Sequence, residues 1–116
     1  MRRAALLGPE LRRLRLEKGL TLEQVGRHVP RRGTPLSRGY LSGIENAKVG
    51  PPTERILRKL AVVLEVPVER LLLLATLDRL PAELDGFPAV RTLRDEAARG
   101  AGATSPARAD SRPDGR

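Results

Sequence analysis

Helix-breaking residues punctuate this chain at short intervals, and that punctuation limits its fold more than any other feature. Pro9, Gly19, Pro30, Pro51-Pro52, Pro67 and Pro81 divide it into helix-sized lengths. Between them leucine, isoleucine and valine recur at i, i+3 and i+4, the period of one buried stripe on an α-helix. Leu7, Leu11 and Leu14 mark a first helix, with Pro9 in its opening turn, where a missing N–H costs nothing. Gly19 ends it. Thr21 and Gln24 make a capping box for a second helix striped by Leu22, Val25 and Val29. Pro30 closes that helix, and residues 30–36, PRRGTPL, read as a turn-rich loop. Ser37 caps a short third helix reaching about Asn46, with Thr34-Pro35 an earlier alternative start. Leu41 and Ile44 face inward in either case.

A fourth helix follows Pro51-Pro52-Thr53 and buries Ile56, Leu57, Leu60, Ala61 and Leu64. Pro67 opens a fifth, running to Arg79. Its run Leu71, Leu72, Leu73, Leu74 is apolar all round, so it meets something on more than one side: either the rest of its own chain or a second subunit. After Pro81, Pro88 to Arg99 has the composition of one further helix carrying Val90 and Leu93. Residues 100–116 contain no large apolar side chain and are expected to be disordered. The expected organisation is an arm at 1–8, an all-α domain at 9–80, a helical extension at 81–99 and a tail.

Charge is unevenly spread. Lys and Arg outnumber Asp and Glu by 11 to 4 in residues 1–50, against 5 to 4 in 51–80 and 6 to 6 in 81–116. A basic excess gathered on the first three helices attracts phosphate and releases counterions on binding. The aromatics are Tyr40 and Phe87 alone, too few for the stacking platforms that grip single strands, so duplex DNA is the expected partner.

Other classes fit poorly. With no cysteine and a single histidine, His28, the sequence lacks a nucleophile–base pair, a metal-ligand cluster and a glycine-rich phosphate loop. No enzyme activity, metal or cofactor is expected. The few apolar residues after Met1-Arg2-Arg3 are too short for a signal peptide or spanning helix, and the absence of cysteine suits a reducing cytoplasm.

The segments LRRLRLEKGLTLEQVG, LSRGYLSGIENAK and PPTERILRKLAVVLEVPVERLL, ordered between Leu11 and Leu74, resemble the lambda-repressor-like, xenobiotic-response-element family of five-helix DNA-binding domains. The resemblance implies a helix-turn-helix whose third helix lies in the major groove. It implies base-reading positions at Arg38, Gly39, Ser42 and Gly43, with Tyr40 beside them. Among these only Arg38 can make the two-pronged contact to guanine. Phosphate contacts are expected near Thr21 and Leu22, at Asn46 and Lys48, and at Arg31 and Arg32. Arg15 and Glu45 match a pair that in relatives bridges the first and third helices. A homodimer on a two-fold symmetric operator, with Leu71–Leu74 as one candidate interface, is the implied assembly. The alternative is an antitoxin or protein-binding adaptor, with residues 81–99 docking a protein partner.

The sequence also departs from that family. Twelve steps separate Val29 from Leu41, where seven are usual, so the joining turn is longer; it either grips DNA or merely meets solvent. Gly39 and Gly43 leave two reading positions blank. Gly26 stands where alanine is usual. Ala47 and Glu65 replace glycines at helix ends, so either those ends are built differently or left-handed strain of ~1–2 kcal/mol is accepted.

Overall fold

The computed structural model describes residues 3–103. The chain divides into two compact units, one ending at Leu80 and the other beginning at Pro81. The first holds α1 (Leu7–Glu17), α2 (Leu22–His28), β1 (Pro30–Arg31), β2 (Thr34–Pro35), α3 (Arg38–Glu45), α4 (Glu54–Leu64) and α5 (Val68–Arg79). The fold is all-α apart from the small hairpin of β1 and β2. No described helix is long and apolar enough to cross a membrane.

The helix starts follow the capping chemistry in the sequence. Thr21 Oγ1 accepts from the Gln24 amide at 3.1 Å while Gln24 Oε1 accepts from the Thr21 amide at 2.8 Å, closing the box at α2. Ser37 Oγ accepts from the Tyr40 amide at 3.1 Å and begins α3. Thr53 begins α4 in the same way. The α1 start is different, because Leu6 precedes it and has no capping side chain. Asp78, reaching over from α5, supplies the acceptor: its carboxylate takes the Leu6 and Leu7 amides at 2.9–3.1 Å. A negative charge at a helix N-terminus is favoured by the exposed N–H dipoles, so this contact locks α1 to α5.

Both substituted helix ends keep the left-handed turn. Ala47 has φ 57° and Glu65 has φ 59°. Each is followed by the paired bonds of a Schellman stop: Lys48 N to Gly43 O at 2.8 Å with Ala47 N to Ile44 O at 3.1 Å, and Val66 N to Ala61 O at 3.0 Å with Glu65 N to Val62 O at 3.3 Å. The strain is accepted rather than designed out.

The core is built from the expected stripes. Leu7, Leu11, Leu14, Val25, Val29, Leu41, Ile44, Ile56, Leu57, Leu60, Ala61 and Leu64 are buried. Leu71 and Leu74 join them, whereas Leu73 is exposed and Leu72 intermediate. Half of the leucine run therefore belongs to the interior of its own unit.

The largest departure from expectation is the segment after α2. Instead of an irregular loop it forms an antiparallel hairpin, with Pro30 opposite Pro35 and Arg31 opposite Thr34. Arg32 (φ 53°) and Gly33 (φ 79°) are its two corner residues, both in the left-handed region that two-residue hairpin turns of the primed type require. Leu36, just past the hairpin, is buried, and its amide donates to the Gly26 carbonyl at 3.1 Å. The Lys59 ammonium donates to the Pro30 carbonyl at 2.6 Å from α4. Gly26 makes this possible. A Cβ there would lie 2.2 Å from the Leu36 carbonyl oxygen, so the glycine is the space into which the hairpin base folds back.

In the second unit a 3-10 turn (Ala82–Gly86) leads to α6 (Pro88–Ala103). Arg91 closes the junction by donating to the Asp85 and Gly86 carbonyls, both at 3.0 Å. The helix runs past Arg99 to Ala103, which corrects the expected start of the tail at residue 100. The rest of that tail lies outside the described residues.

Gly26→Ala is expected to destabilise the protein by about 1–3 kcal/mol, because the neighbouring atom is backbone and cannot swing aside. Gly39→Ala, where a Cβ would meet nothing within 4 Å, is expected to stabilise it by about 0.5–1 kcal/mol. Denaturant midpoints of the two variants check both signs.

Candidate nucleic-acid interface

The third helix is short, and its position is set by what its inner face touches. Leu41 and Ile44 are its buried residues. Beside them Glu45 receives two bonds from one guanidinium: Arg15 Nε at 2.7 Å and Nη2 at 3.0 Å. Arg15 also donates Nη1 to the Leu20 carbonyl at 2.9 Å, so one arginine ties α1, the α1–α2 turn and α3 together. Only about a tenth of either side chain remains exposed. The carboxylate raises the Arg15 pKa above its ordinary value, chiefly through the hydrogen bond, and the guanidinium stays charged at any working pH. Gly8 completes the seat. A Cβ on it would lie 2.5 Å from the Ile44 carbonyl and 2.6 Å from that of Glu45, so α1 rests directly on the α3 backbone.

With that inner face fixed, helical geometry assigns the outer one. At about 100° per residue, Gly39 sits near its centre, Arg38 and Ser42 form one rim, and Tyr40 and Gly43 lie toward the other. Nothing lies within 4 Å of a Cβ built on Gly39, while the Val49 side chain lies beside Gly43. Arg38 is largely exposed and points Nε toward the Glu23 carboxylate of α2 at 3.6 Å. Such an exposed, long contact is worth at most about 1 kcal/mol, so it orients the guanidinium without sequestering it. On the opposite rim the Arg31 guanidinium lies 5.3 Å from the centre of the Tyr40 ring. The helix is thus bracketed, by α2 on the Arg38 side and by the hairpin on the Tyr40 side.

Of the remaining expected contact residues, Asn46 adjoins Ser42 and Arg31 adjoins Tyr40. Thr21 is exposed and Leu22 half-buried at the α2 start; Arg31, Arg32, Asn46 and Lys48 are exposed. Asn46 turns its amide back onto Ser42, donating to its carbonyl at 2.9 Å and its hydroxyl at 3.2 Å. These two candidates are therefore partners of each other in the free protein. From Gln24 to Ile44 the sequence holds no Asp or Glu, against Arg27, Arg31, Arg32 and Arg38. The surface is rich in donors and suits an anionic or acceptor-lined partner.

Sequence reading missed four positioning features: Gly8, Asp78, Leu36 and the Glu23–Arg38 contact. For the hairpin, Gly33 was half of a primed-turn signal, while Arg32 and the two flanking prolines argued against it. The four features themselves join residues that are not neighbours in sequence and left no local trace.

A family model described as a helix-turn-helix domain matches residues 6–74. The chain belongs to that family. It is 38% identical over 65 residues to a protein of Bacillus subtilis (strain 168) described as an uncharacterized HTH-type transcriptional regulator, RghRB. The aligned region is 56% of this chain and 43% of the relative, so the chain spans less than half of that protein's length. No solved structure matches the chain.

Glu45→Ala is expected to cost about 3 kcal/mol, because it strands a mostly buried guanidinium that keeps only its Leu20 bond. A double-mutant cycle with Arg15→Ala, read by chemical denaturation, checks this: the double variant should be less destabilised than the sum of the singles.

Proposed function

We propose that this protein is a sequence-specific, repressor-like transcriptional regulator that reads the major groove of duplex DNA with α3. The observation that carries the reading is the position of Arg38: it stands exposed on the first turn of a helix whose inner face is bolted to α1, beside Glu23 of α2 and within a stretch, Gln24 to Ile44, that carries no acidic residue. The helix-turn-helix membership and the regulator named among its relatives support it. In this reading Arg38 takes guanine O6 and N7, and Ser42 bonds a base edge once Asn46 releases it. Gly39 and Gly43 let the helix backbone sit deep in the groove. Thr21, Leu22, Asn46, Lys48, Arg31 and Arg32 take phosphates and set the register.

The proposed assembly is a homodimer on a two-fold operator with half-sites ~34 Å apart, one turn of B-DNA. With Leu71 and Leu74 inside their own unit, its contact would draw on Leu73. A second reading, an adaptor or antitoxin that docks a protein through residues 81–99, is favoured by Phe87 and Leu93, which are about half exposed on the second unit.

Binding to the duplex is expected to weaken steeply with salt, with a log–log slope of about −2 to −3 per chain for contacts by Arg31, Arg32 and Lys48. Fluorescence anisotropy over a salt series measures it; a flat response would favour the adaptor. Arg38→Ala should relax base preference at one position per half-site by ~1–3 kcal/mol, whereas Lys48→Ala should weaken all duplexes alike. Selection from a random duplex pool separates the two outcomes.

A further inference from the structure

The hairpin between α2 and α3 is not a slack insertion. Its base is seated at three points: the buried Leu36 side chain, the Leu36–Gly26 backbone bond and the Lys59 ammonium on the Pro30 carbonyl. Its first strand is held against α3 by Arg31 over the Tyr40 ring. What the seat presents outward is the two-residue corner Arg32-Gly33, with residues 31–35 all exposed.

Arg32 occupies that corner at a cost. Its φ of 53° lies in the region where a β-carbon meets the following carbonyl, and Asn, Asp or Gly would be less strained there. A strained residue at a well-seated, exposed tip is the pattern of a side chain kept for its contacts. The position of the tip says what those contacts are. The groove-facing side of α3 is centred on Gly39 and flanked by α2 through Arg38, and by the hairpin through Tyr40. A helix lying in a major groove has a phosphate wall on each flank, and beyond each wall is a minor groove. Arg31 is held beside α3 by its ring contact. Arg32 is one residue further out, at the apex of the hairpin, and an extended arginine side chain is slim enough to enter a minor groove ~6 Å wide.

Building on the DNA-binding reading, we propose that the hairpin is a wing. In place of a phosphate contact, Arg32 passes the phosphate wall on the Tyr40 side of α3 and enters the adjoining minor groove, where narrow A·T-rich sequence concentrates negative potential, while Arg31 stays at the wall. Arg31 is a positioning residue that holds the wing to α3. The wing thus adds a preference for A·T pairs outside the bases that α3 contacts, which compensates for the blank centre of the helix.

The test uses the full chain and duplexes enriched by it from a random pool, compared with Arg32→Asn and Arg32→Gly. The wild type should enrich a core flanked by A·T pairs. Replacing those flanks with I·C pairs, whose minor groove matches A·T while their major groove matches G·C, should leave binding unchanged; G·C flanks should weaken it about tenfold. Both variants should keep the core preference, lose the discrimination between flanks, and melt at a higher temperature than the wild type because the corner strain is relieved. The wing is overturned if I·C flanks bind like G·C flanks, or if the variants weaken every duplex equally and keep their flank preference, as a phosphate clamp would. Failure of the wild type to enrich any duplex would overturn the DNA-binding reading itself, and the wing with it.

Discussion

The two-pronged contact between Arg15 and Glu45 is the constraint on which the rest of the site depends. Eight residues of helix cannot hold themselves in water, because the first turn fixes several residues for a single bond. Leu41 and Ile44 bury α3 but leave it free to roll about its axis, since two apolar side chains set depth better than rotation. A planar guanidinium bound through both Nε and Nη2 removes that freedom. Gly8 adds the complementary restraint by bringing the α1 backbone onto the last carbonyls of α3. Which residues face outward follows from these two contacts. Arg38 is presented because Glu45 is held.

The same logic joins Gly26 to the long turn. In sequence, the glycine inside α2 and the longer turn, which either grips DNA or merely meets solvent, stand as two separate departures from the family pattern. In the structure they are one feature. The Leu36 carbonyl occupies the volume that an alanine methyl would need, and in exchange the hairpin gains a fixed base. Loss of helix propensity of about 1 kcal/mol at Gly26 is thus offset by burial of Leu36, which is 5% exposed.

Most of the scaffold was legible because it is written locally. Thr21 with Gln24, Ser37 and Thr53 announce helix starts within three residues of themselves, and the leucine stripes announce which side is buried. Arg15 and Glu45 were found only through the resemblance, since nothing in periodicity pairs two residues thirty apart. The Asp78 cap was missed for the same reason: a carboxylate near the end of α5 looks like a solvated charge until the fold lays it across the start of α1. The run Leu71–Leu74 could not be resolved from composition. A helix apolar on all sides has no phase to read, and only the packing shows Leu71 and Leu74 inside with Leu73 out.

If α3 reads a groove as proposed, a surface centred on glycine changes what specificity can mean. A long side chain at the middle of a reading helix holds its backbone away from the bases. Gly39 has nothing near it, so the α3 axis can approach the floor of a groove more closely than a helix carrying glutamine or arginine there. Closer approach brings both rims toward the phosphate walls at once. In the proposed complex, discrimination then comes from the rims: Arg38, steadied by Glu23 on one side, and the hairpin, steadied by Tyr40 on the other. In that complex a blank helix centre and a hairpin with a seated base are complementary departures from the usual pattern.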